Sequence, residues 1–480
     1  MLIDVAVLAG FIFLLLCILS QARRKVIRYA AMALIVLFCL FAIYRLQNSI
    51  NPWLYSHLGN GTTVFLRIAV LLSVGIYAVK GAKRIPAGLR NLFLVLSPMI
   101  FVMTAQAFWF SLVAPQPRFG AQTLAGMLPA THPNRAIWII FDELDKRMLF
   151  DYRPARIQLP HFDALRGASL FGDRVQSPAR NTESALPSLL LSKRIPRDED
   201  MNLHSRPIEV RFSGCPHFVK FSAQRNIFRR ARALGLNTAV SGWYHPYCQL
   251  FGADLSACST PLQQRSSVLD NALDTAEWEA LQLPNFTRHL AWLSPLPLGE
   301  FNRRHHRERL NYVLENAEEM LRNQALNLVV IHLPTPHPPG IWDASRQTFT
   351  TSDRSDYIDN LALADEVLAE IEGVLRENGG WNKATILVST DHPYRPAIWL
   401  KLPLARLEVR RVTQARWQPY IPFFLKLPGQ KTGVAYHREF NSVLSGNLLL
   451  AALQGKIRTP AQAVQWLDAH AAGSEEKVCR

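Results

Sequence analysis

Four long apolar runs crowd the first 113 of the chain's 480 residues: Leu2 to Leu19, Tyr29 to Tyr44, Val64 to Val79 and Asn91 to Val113. Runs of this kind are constrained to bury themselves in lipid as helices, because a helix satisfies its own backbone hydrogen bonds where no water can. Roughly 20 residues cross the hydrocarbon core, and the shorter runs reach that length by recruiting their flanks. The sequence therefore predicts a transmembrane helical region of four spans over residues 1–113. The first run has no basic residue before it and no small-residue cleavage site after it. It is expected to stay in place as a span and not to be removed as a signal peptide.

The loops between these runs set the orientation. Arg23, Arg24, Lys25 and Arg28 separate the first two, and Lys80, Lys83, Arg84 and Arg90 separate the last two, whereas Arg45 is the basic residue between the second and third. Basic loops stay in the cytoplasm. Both termini then face outward, and the region after Val113 is expected in the periplasm, the whole chain sitting as a multi-pass protein in a bacterial inner membrane.

Lys and Arg together number 53 against 37 Asp and Glu. Membrane-flanking loops account for part of that excess, so it carries no inference of nucleic-acid binding. An oxidising compartment favours disulfides, and Cys248 and Cys258 stand close together in a polar stretch, so a bridge between them is expected. Cys215 and Cys479 are left over, and no CxxC motif marks a cysteine zinc site.

Residues 114–134 are rich in Pro, Gly and small side chains and are expected to form a linker. From Arg135 onward, short apolar runs alternate with amphipathic stretches, the pattern of an α/β domain with a mostly parallel central sheet flanked by helices. Strands are predicted at Ala136–Phe141, Asn237–Ser241, Leu326–Ile331, Thr385–Ser389 and Pro422–Leu427, and helices at Phe221–Leu234, Arg303–Arg322 and Tyr357–Arg376. Four of these strands run directly into reactive side chains: Asp142 and Glu143 after the first, Trp243 to His245 after the second, His332 and His337 after the third, Asp391 and His392 after the fourth. In open parallel sheets the ligand site lies beyond the carboxyl ends of the strands. Carboxylates and imidazoles aimed at one place suit a divalent ion, zinc above all, with manganese the alternative.

Five blocks in this order carry a family resemblance: Trp138-Ile-Ile-Phe-Asp-Glu, Leu159-Pro-His-Phe-Asp-Ala-Leu, Asn181-Thr-Glu-Ser-Ala-Leu-Pro-Ser, His332-Leu-Pro-Thr-Pro-His and Ser389-Thr-Asp-His. Together they resemble the sulfatase-like branch of the alkaline phosphatase superfamily, and most closely its membrane-anchored phosphoethanolamine and phosphoglycerol transferases. The resemblance implies metal ligation by Glu143, Asp391 and His392, with Asp142 as an additional ligand and Thr182 as the nucleophile, itself on the metal. It also implies that His332 and His337 contact the phosphoryl group or the leaving oxygen, and that His245 and Asn181 bind substrate. Thr182 opens a stretch that reads as a helix, whose free N–H groups suit phosphate oxygens; the competing role for Thr182 or Asn181 is a plain helix cap.

Three departures qualify the match. The stretch around Thr182 lacks the Cys-x-Pro-x-Arg context needed for sulfate-ester hydrolysis, Pro393 replaces the usual Gly after Asp-His, and position 404 is Leu where the phosphoethanolamine transferases carry a further His. The implied activity is transfer of a phospho-alcohol head group from a membrane phospholipid to an envelope glycan or lipid acceptor. Alternatives are a sulfatase-like phosphoester hydrolase on the same fold, and a non-catalytic membrane scaffold.

Overall fold

The computed structural model describes residues 124–129, 132–202, 208–261, 298–399, 409–410 and 420–471, all within one compact unit. The four expected spans lie outside these residues, and no helix among the described residues is long and apolar enough to cross a membrane.

Nine strands form one sheet: β1 (Ala136–Asp142), β2 (Leu170–Gln176), β3 (Thr238–Gly242), β4 (Ala257–Ser259), β5 (Leu328–Pro336), β6 (Thr385–Thr390), β7 (Tyr420–Lys426), β8 (Val434–Tyr436) and β9 (Phe440–Asn441). They are ordered β8-β2-β7-β6-β1-β5-β3-β4, with β9 also beside β2. β1 lies parallel to both β5 and β6, while β7 is antiparallel to its neighbours β6 and β2. Only β7 therefore runs against the rest, and the sheet is mostly parallel as expected.

Both faces are covered by helices: α1 (Pro160–Gly167), α2 (Thr182–Leu191), α3 (Ile227–Arg232), α4 (Leu298–Arg322), α5 (Tyr357–Glu377), α6 (Ser445–Leu453) and α7 (Pro460–His470). β1 shows why its sequence is continuously apolar. Ile137, Ile139 and Phe141 point to the layer that includes Leu310 and Leu368, while Ala136, Trp138 and Ile140 point to the layer that includes Leu189 and Leu449. A strand buried on both faces loses the polar alternation of an amphipathic one.

The differences from the expected elements have local causes. The predicted helix Phe221–Leu234 is a short 3-10 turn at Phe221–Ala223 followed by α3, because Asn226 accepts from Arg229 N at 2.8 Å and starts a new helix. α5 begins where Asp356 and Asp359 form a capping box. β2 is half exposed at its far end, and β4, β8 and β9 have two or three residues each, too short to leave a periodic signal.

Described residues of the expected linker lie against the domain. Asn237 brackets Leu128, accepting from its N–H at 2.7 Å and donating to its carbonyl at 2.9 Å, and Asn327 donates to the carbonyls of His132 and Asn134. Cys248 and Cys258 are bridged, with Cα atoms 5.6 Å apart. Cys215, left over in the sequence, is also disulfide-bonded; its partner lies outside the described residues.

Candidate active site

The carboxyl ends of β1, β3, β5 and β6 and the first turn of α2 converge, and the crossing point is set by Thr182. This residue is the first of α2, and neither its side chain nor that of Asn181 caps the helix. The Asn181 amide donates instead to Asp198, which also accepts from Ser184 Oγ at 2.7 Å. Freed from capping, the Thr182 hydroxyl donates toward Asp142, 3.4 and 3.3 Å from its two oxygens, and lies 3.1 Å from His392 Nε2. The start of α2 lies beside this hydroxyl, and the N-terminal end of a helix attracts anions.

Asp142, Asp391 and His392 place one ligand atom each within 4.8 Å of one another, all three buried. The protons in this cluster are informative. His392 Nδ1 lies 3.0 Å from the Pro393 carbonyl, an acceptor only, so Nδ1 carries the hydrogen and Nε2 turns a lone pair inward. That lone pair faces Asp391 Oδ2 at 3.4 Å and Asp142 Oδ1 at 3.6 Å. Asp391 Oδ2 has no hydrogen-bond partner among the described residues. Lone pairs from three buried groups aimed at one point repel unless a cation lies between them. The donor set of two carboxylates, an imidazole and a hydroxyl fits zinc or manganese. Burial, together with Asp391 and Glu143, holds the Asp142 carboxyl well above the ordinary range without such a cation.

The structure brings Asp142 into this cluster, whereas Glu143 was the expected ligand and Asp142 the additional one. Asp142 is the last strand residue, and Glu143 adopts a left-handed backbone with φ of 68°. The turn sends the Glu143 side chain elsewhere: Arg395 Nε donates to its Oε1, and Trp399 Nε1 donates to its Oε2 at 3.1 Å. Its backbone stays tied to the site, because Glu143 N donates to Asp391 Oδ1 at 3.3 Å and Tyr357 OH donates to its carbonyl at 2.7 Å.

The imidazoles divide by role. His332 Nδ1 lies 2.7 Å from Tyr247 OH, and its Nε2 lies 3.9 Å from Asp142 Oδ2. With the hydroxyl donating to Nδ1, the imidazole hydrogen lies on Nε2, facing the site. Burial lowers the His332 pKa to about 3. His245, expected to bind substrate, instead donates from Nε2 to the Thr182 carbonyl at 3.3 Å, and burial lowers its pKa to about 4. It holds the backbone of Thr182. His337 Nδ1 lies 2.7 Å from the Pro338 carbonyl and so carries the hydrogen, leaving Nε2 as an acceptor. Burial and the neighbouring His306 keep His337 well below the ordinary histidine range, which makes it an acceptor and not a general acid at neutral pH.

Sequence reasoning missed Tyr247, Arg395, Trp399 and Asn360. The last holds the His337 loop by donating to the carbonyls of His337 and Pro339, at 3.2 and 3.0 Å, and accepting from Ile341 N at 2.9 Å. Tyr247 stands two positions after His245 and Arg395 three after His392, so proximity to a motif residue was the available signal.

No protein-family model matches the chain, and no curated protein matches it. Solved structures are similar to it. The lipoteichoic acid synthase LtaP from Listeria monocytogenes shares 14% identity over 69% of this chain and 74% of its own, with a TM-score of 0.43. The phosphonate monoester hydrolase SpPMH from Silicibacter pomeroyi shares 14% over 72% and 78%, with a TM-score of 0.43. A protein in the alkaline phosphatase superfamily from Vibrio parahaemolyticus shares 10% over 69% of both chains, with a TM-score of 0.39. Likeness at this level leaves the chemistry to the side chains.

Proposed function

We propose that this chain is a metal-dependent enzyme of the sulfatase-like branch of the alkaline phosphatase superfamily. In this reading it transfers a phospho-alcohol head group, phosphoethanolamine or phosphoglycerol in kind, from a membrane phospholipid to an envelope glycan or lipid. The observation that carries the reading is the Thr182 hydroxyl, buried at a helix start and aimed at Asp142 and His392 where a cap would have turned it toward its own helix.

Asp142, Asp391, His392 and Thr182 would hold the ion, zinc for preference. When bound, it lowers the pKa of the hydroxyl and neutralises charge on the phosphoryl group. Thr182 Oγ1 attacks the phosphodiester phosphorus, and its proton has an acceptor in Asp142, 3.3 Å away. The new bond joins Oγ1 to phosphorus; the bond that breaks joins phosphorus to the diacylglycerol oxygen. The N–H groups opening α2 meet the non-bridging oxygens. His332 Nε2 carries a hydrogen toward the site and directs it as a hydrogen bond to the leaving oxygen, which takes up the proton released from Thr182. An acceptor hydroxyl then takes the head-group phosphate from Thr182. With water as acceptor the same steps make a phosphoester hydrolase.

The four apolar runs ahead of the domain support a multi-pass inner-membrane protein whose catalytic domain faces the periplasm beside its lipid substrate. Intact Asp142, Thr182, Asp391 and His392 speak against a non-catalytic scaffold, in which ligands decay independently. The test is incubation of the full-length protein in detergent with fluorescent phosphatidylethanolamine or phosphatidylglycerol and zinc or manganese. Diacylglycerol release that stops on chelation is expected. No release from either lipid with either metal sets the proposal aside.

A further inference from the structure

The acid pair at the end of β1 divides its labour, and the second acid leads to a group that the proposed reaction does not use. Glu143 is fully buried, yet both of its carboxylate oxygens are engaged by neighbours, Oε1 by Arg395 and Oε2 by Trp399. A carboxylate so engaged is already satisfied without a metal, unlike Asp391 with its unpartnered Oδ2. The left-handed backbone of Glu143 is uncommon outside glycine, so the fold maintains this turn against a local preference.

Arg395 is held through Nε. Its two terminal nitrogens have no hydrogen bond to the described residues, and they are not sealed from solvent, since its side chain is 24% exposed. Its bond to Glu143, the residue after Asp142, sets the guanidinium beside the cluster, and its charge acts on Asp142, Asp391 and His337. Tyr394 and Trp399, on either side of it in sequence, pack against Tyr357 with ring centroids at 4.7 and 5.5 Å, so its loop is fixed by aromatic contacts. A guanidinium anchored by one edge, with its fork free, has the geometry that recognises two oxygens of a phosphate.

We propose that Arg395 is a substrate-binding residue that grips the non-bridging oxygens of the phosphoryl group, and that Glu143 is its positioning residue and not a ligand of the metal. This deepens the proposed function and rests on it for the identity of the anion as a phosphoryl group.

The test compares full-length wild type with Arg395→Ala, Arg395→Lys, Glu143→Gln and the double variant Glu143→Gln/Arg395→Ala. The readouts are zinc content by mass spectrometry and affinity for inorganic phosphate by calorimetry, with and without zinc. All variants are expected to keep wild-type zinc. Arg395→Ala is expected to weaken phosphate binding roughly 10- to 100-fold, as for loss of a charge-assisted bidentate contact, with Arg395→Lys intermediate. Glu143→Gln is expected to weaken it in the same direction, and the double variant to be no worse than Arg395→Ala, because the two act as one unit. Loss of zinc in Glu143→Gln, or wild-type phosphate affinity in Arg395→Ala, overturns the proposal. Absence of zinc from the wild type counts against the broader enzymatic reading instead, and the metal-free phosphate titrations still decide whether Arg395 grips the anion.

Discussion

The Thr182 hydroxyl lies 3.1 Å from the Nε2 of His392, across 210 positions of sequence, and the hydrogen on that imidazole sits on its other nitrogen. A buried hydroxyl between a carboxylate and a ligand nitrogen of the candidate metal site has a proton acceptor in Asp142 and a cation position next to its oxygen, the two activators a weak alcohol nucleophile needs. Thr182→Val removes the oxygen at nearly constant volume. Turnover is expected to fall by at least about a thousandfold while the melting temperature shifts by only a few degrees. Thr182→Ser, which keeps the hydroxyl, is expected to retain measurable turnover; equal loss in both variants would show that the hydroxyl is not the reacting group.

Asp142, Asp391 and His392 are buried with lone pairs converging, so a bound divalent ion stabilises the folded domain as well as serving chemistry. Chelation is expected to lower the melting temperature of the wild type, and zinc to restore it. In Asp391→Asn the metal-dependent increment shrinks or vanishes. A melting temperature indifferent to chelator and to zinc would contradict the assignment of the cluster as a metal site.

Tyr247 sets the hydrogen of His332 from behind, at 2.7 Å. Tyr247→Phe leaves Nδ1 without that donor inside a buried site, at a cost of about 1 to 3 kcal/mol to stability. It also frees the imidazole to change tautomer. Turnover is expected to fall roughly tenfold with zinc content unchanged. Unchanged turnover would remove His332 from the leaving-group step.

His306, on α4, lies against Trp243 and His337 and outside the metal cluster. Burial lowers its pKa from the ordinary 6.5 to about 4. The folded state therefore binds fewer protons than the unfolded chain between these values, and stability falls as pH drops from about 6.5 toward 4. At pH 5 the contribution is on the order of 2 kcal/mol. His306→Phe, which keeps a ring but no titrating nitrogen, is expected to be less stable than wild type at pH 7.5 and to lose less on acidification. Parallel pH–stability curves for the two proteins would refute this origin of the acid sensitivity.

Much of this site was legible in the sequence because β1, β5 and β6 are buried on both faces. Their apolar runs stop abruptly, and Asp142, His332, Asp391 and His392 stand at or near the stops. The choice between adjacent acids was not legible. It depends on the backbone turn at Glu143, and on Arg395 and Trp399, which lie more than 250 positions away and come near only through the β1–β6 pairing. The role of His245 was hidden for a similar reason: its partner is the backbone carbonyl of Thr182, and backbone partners leave no residue-type signal. The reversed direction of β7 also escaped notice, since an apolar run reads alike in either direction.

The central claim is a covalent phosphoryl group on Thr182. Full-length protein carrying zinc, mixed with a phosphatidylethanolamine or phosphatidylglycerol donor in the absence of acceptor and quenched in acid, is digested and read by tandem mass spectrometry. The account predicts a peptide heavier by the head-group phosphate, with the modification on Thr182, absent after chelation and absent in Thr182→Val. Diacylglycerol released at the wild-type rate with Thr182 unmodified in every quench, and equally in Thr182→Val, would contradict it and leave directly activated water as the nucleophile.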